Sequence, residues 1–172
     1  LRDAQKIIGP LSDPAAAFDV AVPSLPGYGF SGPTNVRGIT VARSAELFVS
    51  LMAGRFAAQG GERGSFITSA LAQTFPATLS GIHLNMLPVR ALASQDVTDA
   101  AESNWQRRRA QWVREESADS HIQGTRPQTL AYGPNDSPAG LVRWIVEKYR
   151  AWSDCHGKIE SVFSKDELLT RL

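Results

Sequence analysis

Seven residues in the middle of the chain, Gln59-Gly60-Gly61-Glu62-Arg63-Gly64-Ser65, have the types and spacing to do chemistry. They follow a short apolar run, Phe56-Ala57-Ala58, and lead into a helical pattern that starts at Ser65. Where a strand turns sharply into a helix, the positions two before and two after the apex are pressed together. Glycine suits both places, and here they are Gly60 and Gly64. Glu62 takes the apex, thrust above the sheet, where a carboxylate can attack carbon and form an ester intermediate. Arg63 would offer its backbone N–H at the helix start, as part of an oxyanion hole. The same residues also fit a plain Gly-rich turn with an exposed glutamate. A place within a parallel strand–turn–helix unit is what favours the first reading.

The elements that must position this turn are legible in the first half. Phe18-Asp19-Val20-Ala21-Val22 reads as a buried strand ended by Pro23, and residues 24–33 as a turn-rich loop. Thr40 is placed to cap a helix from Val41 to Met52 that sets Ala45, Phe48 and Met52 on one face. Phe56 to Gln59 is a short strand, Ser65 to Phe75 a helix halted by Pro76, and Gly81 to Asn85 a third strand. This alternation predicts a parallel sheet with flanking helices, an α/β fold.

The texture changes near residue 88, so the expected domains are 1–88 and 89–172. Asp99 to Glu116 reads as a polar helix anchored by Trp105 and Trp112, and Ser117 to Asp136 as a long irregular stretch. Ser137-Pro138 opens a helix through Trp152, as an N-cap followed by proline at the first helical position. Its apolar spacing predicts Trp144 and Trp152 on one buried face. Ser164-Lys165-Asp166-Glu167 is a capping box ahead of Leu168-Leu169. This half reads as a helical lid.

Other chemistries find little support. His83 falls in a predicted strand and reads as a hydrogen-bonded core residue; His121 would order a loop, and His156 faces solvent. Ser31 is a turn residue, because Pro33 stands where a serine-hydrolase turn needs glycine. Arg107-Arg108-Arg109 reads as a solvated helix face. No His, Cys, Asp or Glu spacing indicates a metal, and no cofactor motif is seen. A net charge of +1 predicts no nucleic-acid partner, and no apolar run is long enough for a membrane span. One cysteine, Cys155, excludes an internal disulfide framework and fits a reducing, cytoplasmic setting.

Several stretches together resemble one family. Pro23-Ser24-Leu25-Pro26-Gly27-Tyr28-Gly29-Phe30-Ser31-Gly32 and Gln59-Gly60-Gly61-Glu62-Arg63-Gly64 are similar to α/β-hydrolase-fold epoxide hydrolases of the microsomal and juvenile-hormone type, with their bacterial relatives. Gly81 to Met86 is similar to the strand after the family's elbow. Residues 121–130, 136–141 and 147–154 are similar to its lid. The resemblance implies a partial α/β-hydrolase core plus helical lid, acting without metal or organic cofactor on a small apolar epoxide. An elbow carboxylate would open the ring to an alkyl-enzyme ester. Water activated by a His–carboxylate pair would release the diol, and lid tyrosines would hold the epoxide oxygen.

Against that pattern the chain departs at named positions. The family carries Asp then Trp at the elbow, whereas Glu62 and Arg63 stand here. The extra C–C bond is about 1.5 Å, and a misplacement of about 1 Å can cost on the order of 100-fold in rate. The family has a lid tyrosine where Asp119 stands, and an ionised carboxylate only accepts hydrogen bonds. The family's His-Gly-x-Pro loop, catalytic acid and histidine have no counterpart in these residues. The expectation is therefore an internal fragment that is inactive alone, or a silent piece with a binding or assembly role. Unpaired backbone at a sheet edge would favour self-association.

Overall fold

The computed structural model describes residues 4–87 and 99–170. The expected boundary at 88–89 lies outside these residues. The chain divides into two compact units, Leu1–Leu92 and Ala93–Leu172, each taken by itself below.

In the first unit, α1 (Gln5–Ser12) is followed by α2 (Val41–Leu51), β1 (Phe56–Gly60), α3 (Arg63–Thr74) and β2 (Leu79–Leu84). The strands pair in parallel, with Gln59 opposite His83 and Gly60 opposite Leu84, as the alternation predicted. Thr40 caps α2 as expected: its Oγ1 accepts from the Arg43 N–H at 3.2 Å. Apolar side chains recur along α2 and α3 so that Ala45, Ile67 and Leu71 meet Leu79 of β2 in a buried cluster. Phe48 and Phe56 pack around it. Full burial of a side chain such as Leu71 is worth about 1.5–3 kcal/mol. That cluster holds α3 against both strands, and so holds the β1–α3 turn.

Three expectations for this unit need correction. Phe18 to Val22 forms no strand, and Phe18 is 60% exposed. An apolar run becomes a strand only when another strand accepts its backbone hydrogen bonds, and among the described residues only β1 and β2 pair. His83 is exposed rather than a core residue, because the β2 stretch from Ser80 to His83 is uncovered on both faces. The helix expected from Ser65 begins two residues earlier, at Arg63, directly after the apex.

The second unit holds α4 (Ala100–Glu116), α5 (Ala118–Thr125), α6 (Pro127–Asp136), α7 (Pro138–Trp152) and α8 (Lys165–Thr170). The caps read from the sequence are present. Asp99, expected as the first helical residue, is instead the cap of α4 and accepts from the Ala101 and Glu102 N–H groups at 2.8 and 3.0 Å. Ser137 Oγ accepts from Gly140 N–H at 3.1 Å. Ser164 and Glu167 exchange capping-box bonds at 3.1 Å each. The stretch from Ser117 to Asp136 is not irregular but two short helices, broken at Arg126 where Pro127 restarts the chain. Proline lacks the N–H that would continue α5, yet fits the first turn of α6. Trp152 is 47% exposed rather than buried; its ring lies 6.0 Å from that of Trp112, itself 49% exposed.

Candidate functional site

The apex is where the local chemistry of the sequence and the fold meet. Glu62 has φ 51° and ψ −123°, a left-handed conformation that a residue with a Cβ adopts only under strain. Two donors from one residue steady it: the Ser65 N–H and Oγ both donate to the Glu62 carbonyl, at 3.1 and 2.6 Å. Ser65 is fully buried. The sequence reading missed this serine, although a hydroxyl three residues past the apex is a familiar way to satisfy such a carbonyl.

Gly60 and Gly64 are not equivalent. A Cβ on Gly60 would fall 2.6 Å from Thr68 Oγ1 and closer still to the Gly64 carbonyl, so no side chain fits there. A Cβ on Gly64 would meet nothing within 4 Å. The close approach thus requires a glycine at the strand end only; at 64 it is the backbone that is approached. The strand side is also tied across the sheet, for Asn85 N–H donates to Gly60 O at 3.1 Å and the Gln59 amide donates to Asn85 Oδ1.

The Glu62 side chain is exposed and makes no cap bond to α3. The first N–H groups of α3, Arg63 and Gly64, have no acceptor within the helix and lie at its positive end. Arg63, an exposed residue, lines a cleft of ≈ 320 Å³ with Tyr28, Thr40, Ser44 and Ile67. Ser31, as expected, serves the neighbouring turn by donating to Ser24 O at 2.7 Å. No histidine hydrogen-bonds Glu62 among the described residues.

In the second unit, Asp119 borders an aromatic-walled cleft of ≈ 380 Å³ with Trp144, Lys148, Tyr149 and Phe163. Sequence reading did not single out Lys148. Its ammonium donates to Glu116 Oε2 at 3.2 Å, and the same oxygen accepts from Trp152 Nε1 at 3.0 Å. Burial works against the Lys148 charge, but the Glu116 hydrogen bond and the Glu147 and Glu116 carboxylates outweigh it and raise its pKa. His121 is exposed on α5, and His156 lies 3.5 Å from Asp154 in a turn. Cys155 is buried, with no disulfide. Among the described residues no group of three or more His, Cys, Asp or Glu is placed to hold a metal.

The strand-to-helix apex thus combines an acidic residue at positive φ with an obligatory glycine two positions earlier. No family model matches the chain. A Stigmatella aurantiaca (strain DW4/3-1) protein named as an epoxide hydrolase is 39% identical over 97% of this chain and 41% of its own length. Epoxide hydrolase 1 of Sus scrofa is 33% identical over 96% of the chain and 43% of its own length. The crystal structure of juvenile hormone epoxide hydrolase from the silkworm Bombyx mori superposes with a TM-score of 0.70 and 33% identity. The match covers 85% of this chain and 40% of that one. The chain is a homologue of epoxide hydrolases. It spans about two fifths of the length of the curated relatives it matches. Its α/β architecture is that of the silkworm enzyme over the shared region.

Proposed function

We propose that this chain supplies the nucleophile turn of an epoxide hydrolase, with Glu62 as the attacking group. The observation that carries the reading is the Glu62 backbone, at φ 51° and ψ −123°, between β1 and α3. A Glu62 oxygen bonds to an epoxide carbon, the C–O bond of the ring breaks, and the freed oxygen takes a proton from solvent water. Water then adds to the ester carbonyl, whose oxyanion the Arg63 N–H receives, and collapse returns Glu62 and the diol. The substrate is a small epoxide with an apolar body. By the family resemblance the second unit corresponds to the lid segment, and Asp119 stands at the sequence position of its tyrosine.

In this reading the chain alone stops at the ester. No base is paired with Glu62 among the described residues, and general base catalysis typically contributes about 10²–10⁴-fold. Incubation with styrene oxide, followed by intact-mass and diol measurement, tests the proposal. A single adduct that maps to Glu62 and vanishes in Glu62→Gln, without sustained diol, is the expected result. Sustained diol formation lost in Glu62→Gln would give the chain a base of its own. Neither adduct nor diol would favour the second reading, a silent piece with a binding or assembly role. That alternative draws on the exposed β2 strand, where Ile82 is 44% exposed.

A further inference from the structure

The cleft beside the elbow has an unusual charge for a site meant to take an apolar substrate. Arg63 is the one charged residue that lines it. Among the described residues no carboxylate pairs with Arg63, even though Glu62 is its neighbour in sequence. Glu46, on the nearby helix α2, is already engaged by Arg43 at 2.6 Å. Thr40, Ser44 and Tyr28, each a hydroxyl-bearing residue, line the same cleft. Thr40 Oγ1 accepts from the Arg43 N–H, which leaves its own proton free to donate. Ile67 and Leu25 supply apolar wall.

We infer that this cleft receives a carboxylate, so that the substrate is an epoxide whose body also bears an acid group. The inference deepens the proposed function and rests on Glu62 being the nucleophile next to the cleft. A guanidinium presents a planar pair of donors that matches a carboxylate, and such charge-assisted bonds are about twice as strong as neutral ones. One guanidinium with neutral hydroxyls suits a singly charged carboxylate better than a doubly charged phosphate. The apolar wall takes the hydrocarbon next to the acid. Arg63 thereby becomes a specificity-determining residue, where a tryptophan would accept only an uncharged surface.

Titration of the full chain with benzoate, followed by amide NMR, tests the site without reference to turnover. Benzoate is expected to shift Arg63, Thr40 and Ser44 saturably, while benzyl alcohol does not. Arg63→Ala should weaken benzoate binding by about tenfold or more, and Arg63→Lys should weaken it less. Benzoate binding unchanged by Arg63→Ala, or matched by benzyl alcohol, overturns the proposal. So does inorganic phosphate that binds more tightly than benzoate. A second arm compares labelling of Glu62 by phenylglycidate, an aryl epoxide acid, with labelling by styrene oxide. The acid should label about tenfold faster, an advantage that Arg63→Ala removes. Arg63-dependent benzoate binding with no labelling by either epoxide keeps the carboxylate site and sinks Glu62 as nucleophile. Equal labelling by both epoxides with no benzoate binding keeps Glu62 and sinks the carboxylate site.

Discussion

Gly60 meets the carbonyl of Gly64 so closely that its Cα lies where no side chain can follow. The contact closes the turn from strand to helix in the two residues Gly61 and Glu62, and leaves Glu62 to absorb the change of direction at φ 51°. Substitution at the two glycines should therefore have unequal consequences. Gly60→Ala forces the added methyl into backbone and into Thr68 Oγ1, and overpacking of this kind costs about 1–3 kcal/mol or more. Gly64→Ala places a methyl in open space on a helix and should be neutral or stabilising, by up to about 1 kcal/mol. Urea midpoints for the two variants check this. Equal destabilisation would refute the asymmetry.

Strain at Glu62 predicts a gain in stability when the acid is removed. A residue held in a sparsely populated backbone region costs on the order of 1–3 kcal/mol. Glu62→Gly keeps the turn and releases that strain, so the variant should be more stable by about 1 kcal/mol while losing any adduct with styrene oxide. Glu62→Ala retains the Cβ and should gain much less. Thermal melts of the three proteins distinguish strain from a simple loss of charge.

In the second unit, Lys148 offers a test by pH. Its folded pKa lies above the ordinary lysine value of 10.5, so folding favours the protonated form. The stabilisation is therefore complete below about 10.4, the lysine value in an unfolded chain, and is lost as pH rises through the higher folded value. The stability difference between the native chain and Lys148→Met should stay constant from pH 7 to about 10 and shrink above that range. Denaturation measured across the alkaline limb decides it. A difference that shrinks already between pH 7 and 9 would contradict the assignment.

The cap of α7 can be tested alone. Ser137→Ala removes the oxygen that accepts from Gly140 N–H and should cost about 1 kcal/mol. Ser137→Asp restores an acceptor at the helix N-terminus and should recover most of the loss. Two equally destabilised variants would mean that packing, rather than the cap, sets the effect.

Comparing elements shows which features were legible in the residues and which needed the folded chain. Thr40, Ser137 and the Ser164–Glu167 pair announce their helices because a cap involves groups two or three positions apart. Pro127 is equally local, yet the sequence on either side of it reads as irregular, since α5 and α6 are short, polar and without a strong apolar period. Their helicity depends on neighbours, with α6 lying against α7. The Gly60–Gly64 turn could be placed from spacing and the flanking patterns alone. Its asymmetry could not, because which glycine is approached and which approaches depends on how α3 lies across β1. Ser65 was likewise invisible as a partner of Glu62 until the turn brought its hydroxyl back to the apex carbonyl.

Pairing and burial are decided by residues far away in sequence, and there local reading failed. Phe18 to Val22 has the composition of a strand, but a strand exists only where a neighbour accepts its hydrogen bonds. His83 has the expected backbone and the opposite environment, because burial depends on what covers a strand and not on the strand itself. Arg63 shows both sides of this division. Its identity and its place after Glu62 come from the chain alone. That it lines one cleft with Thr40 and Ser44 follows only from the packing that brings the α2 region to the start of α3.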